Sequence, residues 1–81
     1  MPSSVHSDQY AALLKLLVAA RKDKGLTQVD VASALGKPQS YVSKYESGER
    51  RLDVVEFIAV CEAISIDPCA VIRRMDEGRN R

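Results

Sequence analysis

The chain is poor in the residues that most chemistry needs. Histidine occurs once, at His6, tryptophan is missing, phenylalanine occurs once, and cysteine occurs only at Cys61 and Cys69. A structural zinc site takes four nitrogen or sulfur ligands, so this inventory holds no metal constellation. Two cysteines do not make a disulfide framework. Both lie among apolar neighbours, where a free thiol acts as a small hydrophobe. No glycine-rich loop follows a strand pattern to cradle a phosphate. The prospects for an enzyme are poor, and no cofactor is implied. No apolar run approaches the ~18 residues that suggest a membrane span. The opening Met1-Pro2-Ser3-Ser4-Val5-His6 lacks the basic-then-apolar order of a secretory signal. A cytoplasmic protein without membrane contact is expected.

What remains is a helix-rich composition. Eighty-one residues make one domain. A chain of this size hides only roughly 60–65% of its unfolded surface, so its core is thin and a partner subunit would help. Net charge is only +1, but the positive residues cluster. Arg21, Lys22 and Lys24 form one group, Lys37, Lys44, Arg50 and Arg51 a second, and Arg73, Arg74, Arg79 and Arg81 end the chain. A near-neutral total can conceal a basic face.

No segment alternates with period two for long enough to form a strand, whereas helical signals recur. A first helix is predicted from about Ser7 to Lys24, with Ser7 as N-cap, Asp8 in the first turn, basic residues in the last, and Gly25 as its stop. Leu13, Leu14, Leu17 and Ala20 form its inward stripe, and Leu16 and Val18 lie off it. Thr27 and Asp30 nearly match a capping box, with Leu26 and Val31 placed as a hydrophobic staple, so a second helix runs to Gly36. Pro38 suits a helix start and opens a third helix to about Ser47, ended by Gly48. Asp53 caps a fourth, whose apolar pattern reads Val54, Phe57, Ile58, Cys61, Ile64. Asp67-Pro68 opens a fifth, to about Met75. Residues 1–6 and 76–81 are expected to be flexible flanks of a domain at 7–75.

The stretch from Leu26 to about Ile72 resembles the lambda-repressor-like, Cro/XRE-type helix-turn-helix family. The likeness rests on Leu26-Thr27-Gln28, on Ala32, Leu35 and Gly36, and on Val42, Tyr45-Glu46 and Gly48; Arg21 to Gly25 extends it into the first helix. The pattern has a physical basis. Two helices crossing at roughly 90–120° must approach closely, which calls for a small residue such as Ala32 and a turn glycine such as Gly36. Val42 and Tyr45 then anchor the next helix from beneath. The expected fold is all-α: a compact five-helix domain whose second and third helices form the motif. Val29, Pro38 and Ser65 depart from the family pattern; these departures bear on the helix ends and not on the class.

The resemblance implies a double-stranded DNA partner, with the third helix (about residues 38–47) in the major groove. Gln39, Ser40, Ser43 and Lys44 are the implied base-reading side chains. A glutamine amide offers the donor and acceptor that match adenine, and lysine can donate to guanine. Gln28 is implied to bind a phosphate and brace Gln39, and helix-two N–H groups near Gln28 can meet a phosphate directly. Lys37, Tyr41, Arg50 and Arg51 are further phosphate-contact candidates. Arg21, Ala32, Gly36, Val42, Tyr45 and Glu46 carry structural roles, Arg21 and Glu46 as a partly buried ion pair. A plain solvated helix face is the competing reading of the polar side chains. The leading functional expectation is a transcriptional regulator that binds palindromic operator DNA as a homodimer, pairing through Val55, Ala59, Val60, Val71 and Ile72, with Leu16 and Val18. Alternatives on the same fold are a restriction–modification controller, an antitoxin with a toxin partner, or a protein-interaction module that binds no DNA.

Overall fold

A computed structural model of the chain describes residues 7–79. Five helices follow in order: α1 (Asp8–Asp23), α2 (Gln28–Leu35), α3 (Gln39–Ser47), α4 (Val54–Ile64) and α5 (Pro68–Arg79). No strand occurs among the described residues. The expected flexible segment at 1–6 and the last two residues lie outside them.

Local chemistry sets most helix ends. The Ser7 hydroxyl accepts the Tyr10 N–H at 3.1 Å and starts α1. At α2 the capping box is complete: Thr27 Oγ1 accepts the Asp30 N–H at 3.0 Å, and Asp30 Oδ2 accepts the Thr27 N–H at 2.8 Å. The Thr27 backbone N–H, with the Thr27 hydroxyl adding, holds the Asp30 carboxyl below its ordinary pKa. Gly36 closes α2 at φ 68°. The Lys37 N–H donates to the Ala32 carbonyl at 2.9 Å, which makes a Schellman arrangement. A Cβ at Gly36 would meet nothing within 4 Å, so glycine is favoured there for its left-handed backbone alone. Pro38 caps α3 without a side-chain hydrogen bond. Ser65 closes α4 in the same left-handed region, at φ 67°. A non-glycine residue there stores about 1 kcal/mol or more of strain.

The core is built from Leu14 and Leu17 of α1, Val31 and Ala32 of α2, Val42 and Tyr45 of α3, Phe57, Val60, Cys61 and Ile64 of α4, and Val71 of α5. Helix α2 packs chiefly against α3 and then α4, while α1 lies across α3, α4 and α5. Thus α3 is gripped from below by two buried anchors, Val42 and Tyr45, with its other edge left to solvent.

Four expectations need correction. The inner face of α4 is Phe57, Val60, Cys61 and Ile64, whereas Val54 and Ile58 face outward with Val55. An almost wholly apolar helix carries two overlapping i, i+3, i+4 stripes, and only packing chooses between them. Val60 and Val71 are therefore core residues, unavailable for pairing with a second chain. Helix α5 runs one turn past Met75, to Arg79, with Gly78 inside the helix; Met75 and Gly78 border a groove shared with Asp8, Gln9, Ala12 and Lys15 of α1. Finally, Cys61 is buried, with its thiol pushed up to about 11 by desolvation, but Cys69 is exposed in the first turn of α5.

Candidate nucleic-acid interface

Gln39, Ser40, Ser43 and Lys44 all lie on the exposed edge of α3. Their neighbours Val42 and Tyr45 are fully buried, so the helix cannot rotate to hide the polar edge without expelling its own anchors. Ala32, at 2% exposure, is the small α2 residue in the core beside α3.

A chain of hydrogen bonds runs from the interior to this edge. Arg21 is buried, unusually for an arginine. It grips Glu46 through two parallel bonds, Nε to Oε2 at 2.7 Å and Nη2 to Oε1 at 3.1 Å, the fork geometry that makes such pairs strong. Its Nη1 donates to the Leu26 carbonyl at 2.9 Å, tying α1 to the start of the motif. Hydrogen bonding to Glu46 raises the Arg21 pKa against the opposing effect of burial. Glu46 Oε1 also accepts from Gln28 Nε2 at 2.9 Å, and Gln28 Oε1 accepts from Gln39 Nε2 at 2.9 Å. Four residues from three helices thereby form one chain that ends on Gln39, the first residue of α3.

A second cluster surrounds Tyr41. Lys37 Nζ lies 5.4 Å and the Arg50 guanidinium 4.7 Å from the centre of its ring, both within reach of a cation–π contact. The Tyr41 ring meets that of Tyr45 edge-on at 5.9 Å. Burial, with the Glu56 charge adding, raises the Tyr41 phenol above its usual pKa. Arg50 is held by Glu56 at 2.7 and 3.2 Å and donates to the Arg51 carbonyl at 3.1 Å. Arg51 is not part of this cluster: its guanidinium lies over Tyr10, 4.1 Å from the ring centre, at the start of α1. The structure thus joins Lys37, Tyr41 and Arg50 in one group, Gln28 and Gln39 in another, and sends Arg51 to a third place.

Glu56 is the residue that the sequence reading missed. It completes the α4 capping box, accepting the Asp53 N–H at 2.9 Å, while it also clamps Arg50. Arg50, followed by the Asp53 N–H, holds its carboxyl down at about 2. The signal was present as Asp53-x-x-Glu56, the spacing of a capping box.

Among the described residues, no helix is long and apolar enough to cross a membrane, and no group of acidic, cysteine or histidine side chains could hold a metal.

Comparison with known proteins agrees with this fold. Residues 17–70 match the helix-turn-helix family model. An HTH-type transcriptional regulator of Sinorhizobium fredii, y4dJ, is 32% identical over 57 residues, covering 70% of this chain and 74% of that protein. The structure of an XRE-family-like protein from Pseudomonas syringae superposes with a TM-score of 0.84 at 49% identity, covering 85% of this chain and 84% of the other. The restriction–modification controller protein C.AhdI from Aeromonas hydrophila superposes with a TM-score of 0.72 at 28% identity, covering 80% and 98% of the two chains.

Proposed function

This chain belongs to the XRE-type helix-turn-helix family of DNA-binding transcription regulators, which are not enzymes, and from that premise we propose that it binds a palindromic operator as a homodimer. The observation that carries the proposal is the exposed edge of α3, where Gln39 is held by Gln28 while Ser40, Ser43 and Lys44 stay open to solvent. In the proposed complex that edge enters the major groove. Gln39 pairs with a base edge through its amide, and Ser40, Ser43 and Lys44 read or approach neighbouring bases.

In the proposed complex Lys37, Tyr41 and Arg50, which cluster together, meet one stretch of phosphate backbone. Lys37 supplies most of the attraction, because Glu56 offsets the charge of Arg50. Gln28, near the N-terminus of α2, meets a second phosphate, where the positive end of the helix dipole favours an anion. Arg51, over Tyr10, flanks the same surface. These contacts fix register, and the base contacts supply specificity.

Pairing is supported by the outer face of α4, where Val54 and Val55 are 72% and 75% exposed, together with Ile58 on that face and Ile72 on α5. Two recognition helices related by a two-fold axis would read half-sites about 34–36 Å apart. The similarity to C.AhdI supports a restriction–modification controller as the narrower reading. A regulator of this kind acts in the cytoplasm, where its DNA is.

Salt dependence tests the proposal. A dimer neutralising ~6–10 phosphates loses on the order of 10³–10⁵-fold in DNA affinity between about 50 and 200 mM salt. A flat profile contradicts DNA binding through this face and favours a protein partner. Sedimentation that shows only monomer at high micromolar concentration removes the dimer.

A further inference from the structure

The hydrogen-bond chain from Arg21 to Gln39 has a direction. A carboxylate can only accept, and Glu46 already receives two bonds from Arg21. Gln28 must therefore turn its NH₂ group towards Glu46, since its oxygen there would face Oε1 at 2.9 Å, acceptor against acceptor. That choice places Gln28 Oε1 towards Gln39, so Gln39 must in turn present its own NH₂ to Gln28. Gln39 Oε1 and the second N–H of its amide are what is left for another partner. An isolated glutamine could offer these atoms in either order. This one cannot without losing a bond: turning Gln39 alone sets its oxygen against that of Gln28, and turning both amides sets the Gln28 oxygen against the Glu46 carboxylate.

We propose that Glu46, though its side chain is 8% exposed, is a specificity-determining positioning residue: it fixes the donor–acceptor order that Gln39 shows to a base pair. The inference rests on the DNA-reading role proposed above and deepens it. The locked order, acceptor beside donor, matches an adenine edge, with its N6 donor and N7 acceptor, in one orientation only. A base pair of the opposite polarity is rejected because the amide cannot turn over to suit it. Partial burial protects the inner part of the device, since Arg21 holds Glu46 and desolvation strengthens the bonds that Glu46 accepts from Arg21 and Gln28.

The experiment measures relative affinity for operator duplexes carrying each base pair in turn, for the full chain and its variants, with folding checked by circular dichroism. Gln39→Ala locates the position that Gln39 reads. Glu46→Gln replaces a pure acceptor by a group that can present either end, and should reduce discrimination at that position about tenfold, the loss of one charge-assisted bond. Affinity for the preferred duplex should fall only about two- to threefold by the same reasoning. Gln28→Met breaks the chain while leaving the Arg21–Glu46 pair in place. It should relax the same position by a similar factor, on top of a uniform loss from its phosphate contact. A merely structural Glu46 would weaken all duplexes alike. Unchanged discrimination at that position in Gln28→Met, or in a folded Glu46→Gln, overturns the proposal while DNA reading stands. A wild-type chain with no base preference refutes DNA reading, and the proposal falls with it.

Discussion

Replacing Tyr45 by phenylalanine should make this protein more stable. Tyr45 is fully buried on the inner face of α3, and its hydroxyl has no hydrogen-bond partner among the described residues. Burial pushes the phenol well above its usual pKa, with the Glu46 charge adding to the effect, so the group stays neutral at any ordinary pH. A buried hydroxyl that trades water for nothing costs ~1–3 kcal/mol. Tyr45→Phe removes that cost and keeps the ring, including its edge-on contact with Tyr41. The lost oxygen leaves a gap on the order of 15 Å³, about 0.4 kcal/mol at ~24 cal/mol per Å³. The balance is a gain of ~1–2 kcal/mol. In a domain of this size each kcal/mol moves the melting point by about 4–8 °C, so a rise on the order of 5–10 °C is expected. Thermal and urea unfolding followed by circular dichroism would read it, at one fixed protein concentration because pairing makes Tm concentration-dependent. The urea m-value should not change. Tyr45→Ala should cost ~3–5 kcal/mol, which separates the ring from its hydroxyl. A lower midpoint for Tyr45→Phe would mean that the hydroxyl is bonded in solution, and would refute the reasoning.

Other perturbations act elsewhere in the domain. Ala32→Leu adds bulk at a core position that is 2% exposed. Urea unfolding should show a loss of ~1–3 kcal/mol or more, and near-wild-type stability would contradict the close approach. Ser65→Gly relieves the left-handed strain at φ 67°. It should gain about 0.5–1 kcal/mol after the entropy that glycine adds to the unfolded chain. Its failure to raise Tm would show that the turn is unstrained. Glu56, held at about 2 against an ordinary 4.5, contributes stability that is complete above pH 4.5. As pH falls from 4.5 towards 2 the unfolded chain takes up a proton that the folded one refuses, so melting points should decline across that window. Glu56→Gln should flatten that decline, and an unaltered slope would place the acid sensitivity elsewhere.

The helix order was legible because its signals are local. Ser7, Thr27 with Asp30, Gly36 and Asp53 each act within a few residues of themselves, and each meets its bonding partner or adopts its turn where the spacing puts it. The face of α4 was not legible: Val54, Val55, Phe57, Ile58, Val60 and Cys61 leave two stripes of nearly equal hydrophobicity, and the choice lies in contacts with distant helices. The end of α5 was not legible either, because Gly78 falls inside the helix rather than ending it. At the candidate interface, the exposed side chains of α3 could be read from the resemblance. The clamp of Glu56 on Arg50 and the bond from Gln28 to Glu46, which joins residues 18 apart, are tertiary facts.

Selection of bound sites from random double-stranded DNA, with the wild-type chain and Gln39→Ala side by side, tests the central claim most directly. The wild type should enrich an inverted repeat with half-site centres about 34–36 Å apart. Gln39→Ala should keep that spacing and lose preference at one symmetric pair of positions. Enrichment of no motif, or of the same motif undiminished by the substitution, would contradict a recognition helix that reads bases through this edge.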